Sequence, residues 1–234
     1  MSRADLPRRV RALSQFRVDD LASLTLTPDD EHHLRRVLRA REGEEIVLTD
    51  GRGGYRFATV TSSSYEPASE IGQDDPLLDT TLYIAPLKGD RSENVVVKAT
   101  ELGVTRVVPL TSRFVAVKFR GEARDKALAR WRRVAREAMG QCRRTWDLVI
   151  EDPVEVSGVP RDVAVADFGG TATLEGVRAI AIGPEGGWEH DEWPSEQPRV
   201  SLGDHVLRGD TAAIAATTLL VSRGAGWSRH ARDT

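Results

Sequence analysis

Apolar and polar positions divide the chain into two regimes. In Glu45-Ile46-Val47-Leu48-Thr49 and Tyr55-Arg56-Phe57-Ala58-Thr59-Val60 the pattern is that of short strands. Between them, Asp50-Gly51-Arg52-Gly53-Gly54 has the composition of a hairpin turn. Upstream, Thr27-Pro28-Asp29-Asp30-Glu31 reads as a helix start. Thr27 is placed to cap, proline is tolerated in the first turn, and the acids sit at the positive end of the helix dipole. The helix is expected to run to about Arg39, with Arg35, Arg36 and Arg39 on its exposed side and Gly43 at the exit. Short strands with one helix predict a small β-barrel. The polar stretch Gln73-Asp74-Asp75-Pro76 marks a boundary, giving domains 1–75 and 76–234.

From Thr80 onward strands and helices alternate, the pattern of an α/β fold. Thr81-Leu82-Tyr83-Ile84-Ala85 is a strand. Asp90-Arg91-Ser92-Glu93 has capping-box spacing with Asp90 as the cap, and Val95, Val96, Ala99 and Leu102 follow at helical intervals up to Gly103. After the strand Arg106-Val107-Val108-Pro109-Leu110, a basic helix spans about Arg124 to Cys142. Leu128, Trp131, Ala135, Ala138 and Cys142 form its buried stripe, and Arg130, Arg132, Arg133 and Arg136 spread over the other faces. Strands follow near Leu148 and at Val163-Ala164-Val165-Ala166. Ala179-Ile180-Ala181-Ile182 then runs into Gly183-Pro184-Glu185-Gly186-Gly187, and Arg199-Val200-Ser201-Leu202 into a loop from Gly203 to Asp210. Glycine-rich loops at the carboxyl ends of α/β strands are where such sheets bind ligands, so the two units read as two walls of one pocket. The closing helix, Thr211 to about Ser222, is apolar nearly all round and must be buried on most faces.

Composition adds bounds. With 40% hydrophobic and 29% charged residues the chain reads as soluble and globular. No run approaches the roughly 18 apolar residues of a membrane span. The N-terminal arginines lack the apolar stretch of a secretory signal, and a lone Cys142 excludes an internal disulfide, so a cytoplasmic location is expected. The formal net charge of −3 hides an asymmetry. Residues 112–144 carry eleven Lys or Arg against three acids, whereas 147–204 carry thirteen acids against three arginines. A basic face on an acidic protein suits a nucleic-acid footprint, although a solvated helix surface gives the same pattern. Arg3, Arg8, Arg9, Arg11 and Arg17 could form a phosphate-contacting arm or a frayed terminus.

Several chemistries are excluded. There is no P-loop, no G-x-G-x-x-G after a strand and no G-x-S-x-G elbow, and His32, His33, His190, His205 and His230 lack a zinc-ligand spacing, so no metal is expected. What remains is a pocket built mainly from backbone. Two motifs at its heart carry a resemblance. Ile182-Gly183-Pro184-Glu185-Gly186-Gly187 and Leu202-Gly203-x-x-Val206-Leu207-Arg208-x-x-Thr211-Ala212 are similar to those of the RsmE family. So are Leu87-Lys88-Gly89-Asp90-Arg91, Lys98-Ala99-Thr100-Glu101-Leu102-Gly103, Gln141-Cys142-Arg143-Arg144 and His33-Leu34-x-x-Val37-Leu38-Arg39. Members of that family are 16S rRNA (uracil(1498)-N3)-methyltransferases of the SPOUT, trefoil-knot class.

The resemblance implies a PUA-like RNA-binding domain ahead of a knotted α/β methyltransferase domain, S-adenosyl-L-methionine as cofactor, 16S rRNA or the small ribosomal subunit as partner, and a homodimer. It assigns the cofactor to Ile182, Gly183, Pro184, Gly187, Leu202, Gly203, Val206, Leu207 and Thr211. A uracil N–H must lose a proton before its nitrogen attacks, so the site needs a cation and a base. Arg208 and then Arg91 are the cation candidates; Asp210 and Glu185 are the carboxylates. Family members often carry Arg-Thr-Glu-Thr where this chain has Arg208-Gly209-Asp210-Thr211, so the carboxylate stands on a shorter arm, and Asp210 could instead cap the helix that begins at Thr211. Arg208 could equally serve a structural ion pair. Candidate RNA contacts are Arg9, Arg35, Arg36, Arg39, Lys88, Arg132, Arg133, Arg143 and Arg144. Trp188 and Trp193 could stack on a base, though packing is their simpler role. The rival readings are a knotted methyltransferase acting on tRNA and a non-catalytic RNA-binding assembly factor.

Overall fold

The computed structural model describes residues 6–114 and 119–224, and for 223 and 224 only the backbone; Arg3 of the basic arm and His230 lie outside the described residues. The chain forms two compact units. Among the described residues, the first contains 6–76 and also 136–147; the second contains 77–135 and 148–224. The sequence offers no sign that 136–147 leaves the second unit.

In the first unit, β1 (Gln15–Arg17), β2 (Glu45–Thr49), β3 (Gly54–Val60) and β4 (Tyr65–Pro67) lie in that order, and β5 (Gly72–Gln73) also pairs with β3. β1 and β2 are parallel; the other pairs are antiparallel. The β2–β3 turn is held by Asp50, whose Oδ1 accepts from the N–H groups of Arg52 and Gly54. Gly51 and Gly53 take φ of 71° and 90°, angles that glycine alone adopts freely. Leu34, Ile46, Leu48, Ala58 and Val60 form the core.

The helix that begins at Thr27 is short. α2 (Pro28–His32) is capped by Thr27, whose side chain accepts from Asp30 N–H, but it passes into a π-helical turn at His33–Val37. Arg39 then takes a φ of 54°. Helical geometry therefore does not place Arg35, Arg36 and Arg39 on one exposed stripe. Arg35 is half-buried, bonded to Glu31 at 2.7 Å and to Thr61 O at 3.0 Å, while Arg36 and Arg39 are exposed.

The basic arm folds back on this unit. α1 (Arg8–Arg11) sets Arg8 against Glu45 and over the Phe57 ring, and Arg9 in a two-bond contact with Asp74 over the Tyr55 ring. Arg17 pairs with Asp147 at 3.0 Å. Buried Gln15 donates to Arg144 O at 2.6 Å, and its own carbonyl lies against Gly140.

The second unit is a seven-stranded, wholly parallel sheet. β12 (Arg199–Val200), β10 (Ala164–Ala166), β11 (Ala179–Ile182), β6 (Thr81–Ile84), β7 (Arg106–Thr111) and β8 (Val149–Ile150) lie in that order, with β9 (Val154–Glu155) pairing with β7. Parallel sheets bury both faces, which is why Ala179–Ile182 is continuously apolar rather than alternating. α3 (Arg91–Leu102) ends at Gly103 in the left-handed conformation. Asp90 makes no side-chain capping bond there, contrary to its capping-box spacing; instead buried Ser92 Oγ accepts from Leu87 N–H.

α4 (Gly121–Cys142) buries Leu128, Trp131, Ala135, Ala138 and Met139, while Cys142 is only half-buried. α5 (Gly209–Gly224) packs on α3, β11 and β6. It starts two residues earlier than its apolar run suggests, so Asp210 lies inside its first turn instead of capping it. Among the described residues no helix is long and apolar enough to cross a membrane.

Gly140 gives the fold a test with a defined sign. In an ordinary helix interior alanine is favoured over glycine by about 1 kcal/mol. Here an added Cβ would sit 2.8 Å from Gln15 O, a backbone atom with little room to yield. Gly140→Ala is therefore expected to lower stability by about 1–2 kcal/mol, overpacking outweighing propensity. Urea unfolding checks this; an unchanged or raised midpoint would contradict it.

Candidate active site

Because every strand of the second sheet is parallel, the loops after β10, β11 and β12 leave from the same edge. They enclose a cleft of about 1100 Å³. One wall is Ile182, Gly183, Pro184, Glu185 and Gly187. The other is Leu202, Gly203, Val206, Leu207 and Arg208. The two motifs are thus brought together, and of the nine residues assigned to a cofactor only Thr211 lies off the cleft lining. It is exposed, in the third position of α5, directly after Asp210.

The glycines have specific tasks. Gly187 follows a turn closed by its N–H to Pro184 O at 2.9 Å and takes a φ of 75°. A Cβ on Gly183 would come within 2.9 Å of the Trp188 ring, which lies across it. The Trp188 indole N–H donates to Ala166 O at 3.0 Å, and its ring meets buried Trp193 edge to face at 5.0 Å. Both tryptophans line the cleft as packed walls. Gly203 takes a φ of 136°, and Ser201 Oγ lies 3.0 Å from its carbonyl.

The four residues proposed for proton and charge handling form two pairs. Glu185 Oε1 forms an ion pair with Arg91 at 3.1 Å and accepts from Lys88 N–H at 3.3 Å. Both contacts fall on Oε1, which bridges the 87–91 segment and the glycine loop, and Arg91 lies off the cleft lining. Arg208 is different. Its side chain is 70% exposed at the cleft, with Asp210 Oδ1 3.6 Å from its Nε. That oxygen is buried without a hydrogen-bond partner. Gly209 is buried, and a Cβ there would come 2.7 Å from Leu87.

The cleft also takes residues the sequence did not single out. Asp167 and Arg199 form an ion pair at 2.5 Å, and Phe168 and His205 stand at the opening. Asp167 and Phe168 directly follow the apolar run Val163–Ala166. That position after a parallel strand was the available signal.

The candidate RNA contacts separate by what already holds them. Arg36, Arg39, Lys88 and Arg133 are exposed. Arg132, half-exposed, bonds Ile150 O at 3.1 Å. Arg9 and Arg35 are engaged as described above. Arg143 donates to Gly140 O and Ala12 O. Arg144 is 9% exposed, and its guanidinium donates to Trp146 O and Asp147 O. Burial pulls this group down to about 10. Both guanidinium groups thus bond backbone carbonyls within the first unit, Arg143 half-buried and Arg144 buried.

Comparison with known proteins agrees with this geometry. A family profile described as an RNA methyltransferase domain matches residues 73–221, and one described as an RNA methyltransferase PUA domain matches residues 26–64. A ribosomal RNA small subunit methyltransferase E from Synechocystis is 32% identical, over 83% of this chain and 71% of the relative. The protein of that name from Mycobacterium bovis is 30% identical, over 93% of this chain and 95% of its own. Among solved structures, a ribosomal RNA small subunit methyltransferase E from Neisseria gonorrhoeae bound to S-adenosyl methionine superposes with a TM-score of 0.74 at 26% identity, covering 88% of this chain and 96% of that one. With two relatives at this level of identity and a domain profile across most of its length, the chain belongs to the ribosomal RNA small subunit methyltransferase E family.

Proposed function

We propose that the chain transfers a methyl group from S-adenosyl-L-methionine to N3 of a uridine in 16S rRNA, at the position the RsmE family modifies. The observation that carries this reading is the cleft between the 182–188 and 201–209 segments in a chain of that family. At about 1100 Å³ it is larger than the roughly 300–1000 Å³ usual for a single small ligand, which leaves space for a base beside the cofactor. Main-chain groups of the Gly183–Gly187 and Leu202–Leu207 segments suit an adenine edge, and the Trp188 face suits a cation. When bound, the cofactor supplies an electrophilic methyl on a sulfonium.

The chain's own residues do the rest. The uridine N3–H gives its proton to a carboxylate or to water, and the nitrogen lone pair forms the new N–C bond as the sulfonium C–S bond breaks. Arg208, exposed at the cleft, is the cation placed to stabilise the uracil anion. Asp210, through its contact with Arg208, orients that guanidinium; Glu185 and Arg91 hold the glycine loop. We assign residues 1–75 to gripping RNA in the manner of a PUA-like domain, with Arg36 and Arg39 among its contacts, and residues 76–234 to methyl transfer. In the second unit we assign Arg132 and Arg133 on α4, with Lys88, as RNA contacts. The return of α5 from the edge strand β12 to pack on β11, β6 and α3 is where the trefoil knot of the class would be threaded. The protein acts as a cytoplasmic homodimer, by analogy with the family.

The direct test is transfer of labelled methyl to small ribosomal subunits lacking the modification, with nucleoside mass analysis. N3-methyluridine at one 16S site is expected; absence of product with subunits and with free rRNA would overturn the reading. Two substitutions separate the roles. Arg208→Ala is expected to lower kcat by about 10²–10³, the usual cost of removing a group aimed at developing charge, with cofactor affinity nearly intact. Glu185→Gln is expected to raise the KM for cofactor and leave kcat within a few-fold, as loss of a loop strut should. The opposite split would exchange the two assignments.

A further inference from the structure

From the hydrogen bonds around the far end of the glycine loop, we infer that Glu192 is a positioning residue for the cofactor cleft. The inference rests on the methyltransferase reading above. Glu192 is half-buried and does not line the cleft, although its neighbours Asp191 and Trp193 do. Its carboxylate accepts two backbone N–H groups from different loops. Oε1 takes the N–H of Arg113 at 2.9 Å, and Oε2 takes the N–H of Glu189 at 3.1 Å. Glu189 O in turn accepts from Glu192 N–H at 3.1 Å, closing a turn over 189–192. One carboxylate thus ties the segment after β7 to the segment that carries the cleft wall.

The surroundings reinforce the tie. The Arg113 guanidinium pairs with Glu189 at 2.5 Å and lies 3.7 Å from Asp191. Beside it, the Cβ position of Gly186 is 3.2 Å from Phe114 Cβ, so the loop lies directly against the 113–114 backbone. The glycine loop is therefore held at both ends, by Glu185 on Arg91 and Lys88 N–H at the start and by Glu192 at the finish. Between these points the chain has two adjacent glycines, Gly186 and Gly187, and no helix or strand. Such a segment holds one conformation only if its ends are fixed. Charge-assisted bonds to a carboxylate are roughly twice as strong as neutral ones, which suits this task.

The substitutions discriminate by chemistry. Alanine at 192 leaves both N–H groups without their acceptor. Glutamine keeps one acceptor oxygen and turns an amide donor toward the other N–H. Arg113→Ala removes only the guanidinium and retains the backbone N–H that Glu192 holds. If loss of the tie cuts the binding-competent loop population to about one-tenth, the apparent Kd for cofactor rises about tenfold.

The experiment is calorimetric binding of S-adenosylmethionine, with transfer kinetics on small subunits, for the wild type, E192A, E192Q and R113A. E192A and E192Q are expected to raise the cofactor Kd and KM together, about tenfold, while KM for the subunit and kcat at saturating cofactor stay within about twofold. R113A should weaken cofactor binding less than E192A does. Unchanged cofactor affinity in E192A, a fall in kcat with KM unmoved, or an R113A defect equal to that of E192A would each overturn the role given to the carboxylate. If E192A does not fold, E192Q and E192D carry the same comparison. A wild type that binds no cofactor would instead overturn the methyltransferase reading itself.

Discussion

Parallel pairing is the constraint from which the site follows. Each strand of the second sheet needs a crossover before the next, so all strands point the same way and all their outgoing loops share one edge. β10, β11 and β12 are neighbours in space. Their outgoing segments, from Asp167, Gly183 and Ser201, therefore meet without any side chain having to bring them together. The continuous burial of Ile180–Ile182 and Ala164–Val165 fixes the register. The register sets where each loop begins, and the glycines then decide how closely backbone can approach a ligand.

This explains what could be read from the residues and what could not. The strand–loop units at 179–187 and 199–208 were legible because buried parallel strands are continuous apolar runs and the loops after them are rich in glycine. The hairpin at Asp50–Gly54 and the helix stop at Gly103 were legible for the same reason: positive φ leaves a glycine signature. The π-turn at His33–Val37, which buries Leu34, was not, since its residues carry no proline or glycine to mark a break in an α-helix. Nor was the recruitment of 136–147 to the first unit. Gln15, Gly140 and Thr49 arrange that contact through backbone carbonyls, and carbonyls leave no trace in side-chain pattern.

Arginine counts misled for a related reason. Local excess of positive charge does not say whether a guanidinium has already found acceptors. Arg8, Arg9, Arg17, Arg143 and Arg144 have all found them inside the first unit. Arg144 shows the principle at its sharpest: a planar fork of donors is well suited to a cluster of carbonyl oxygens, and its burial is tolerable only because they are there. Exposure and acceptors in the fold, rather than the sequence total, therefore decide which arginines a proposal of RNA contact can use.

The Gly209-Asp210 pair has a packing explanation. Gly209 is buried with Leu87 filling the space a side chain would need, and Leu87 belongs to the segment that also supplies Lys88 N–H to Glu185. A larger residue at 209 would have to displace Leu87. Displacing Leu87 would disturb the segment that supports the glycine loop. The shorter carboxylate at 210 lies in the same first turn of α5, with one oxygen buried and 3.6 Å from Arg208. The carboxylate lies behind Arg208, which alone of the two lines the cleft. Gly209 thus has a packing reason in Leu87, and Asp210 stays within 3.6 Å of Arg208 in spite of its shorter arm.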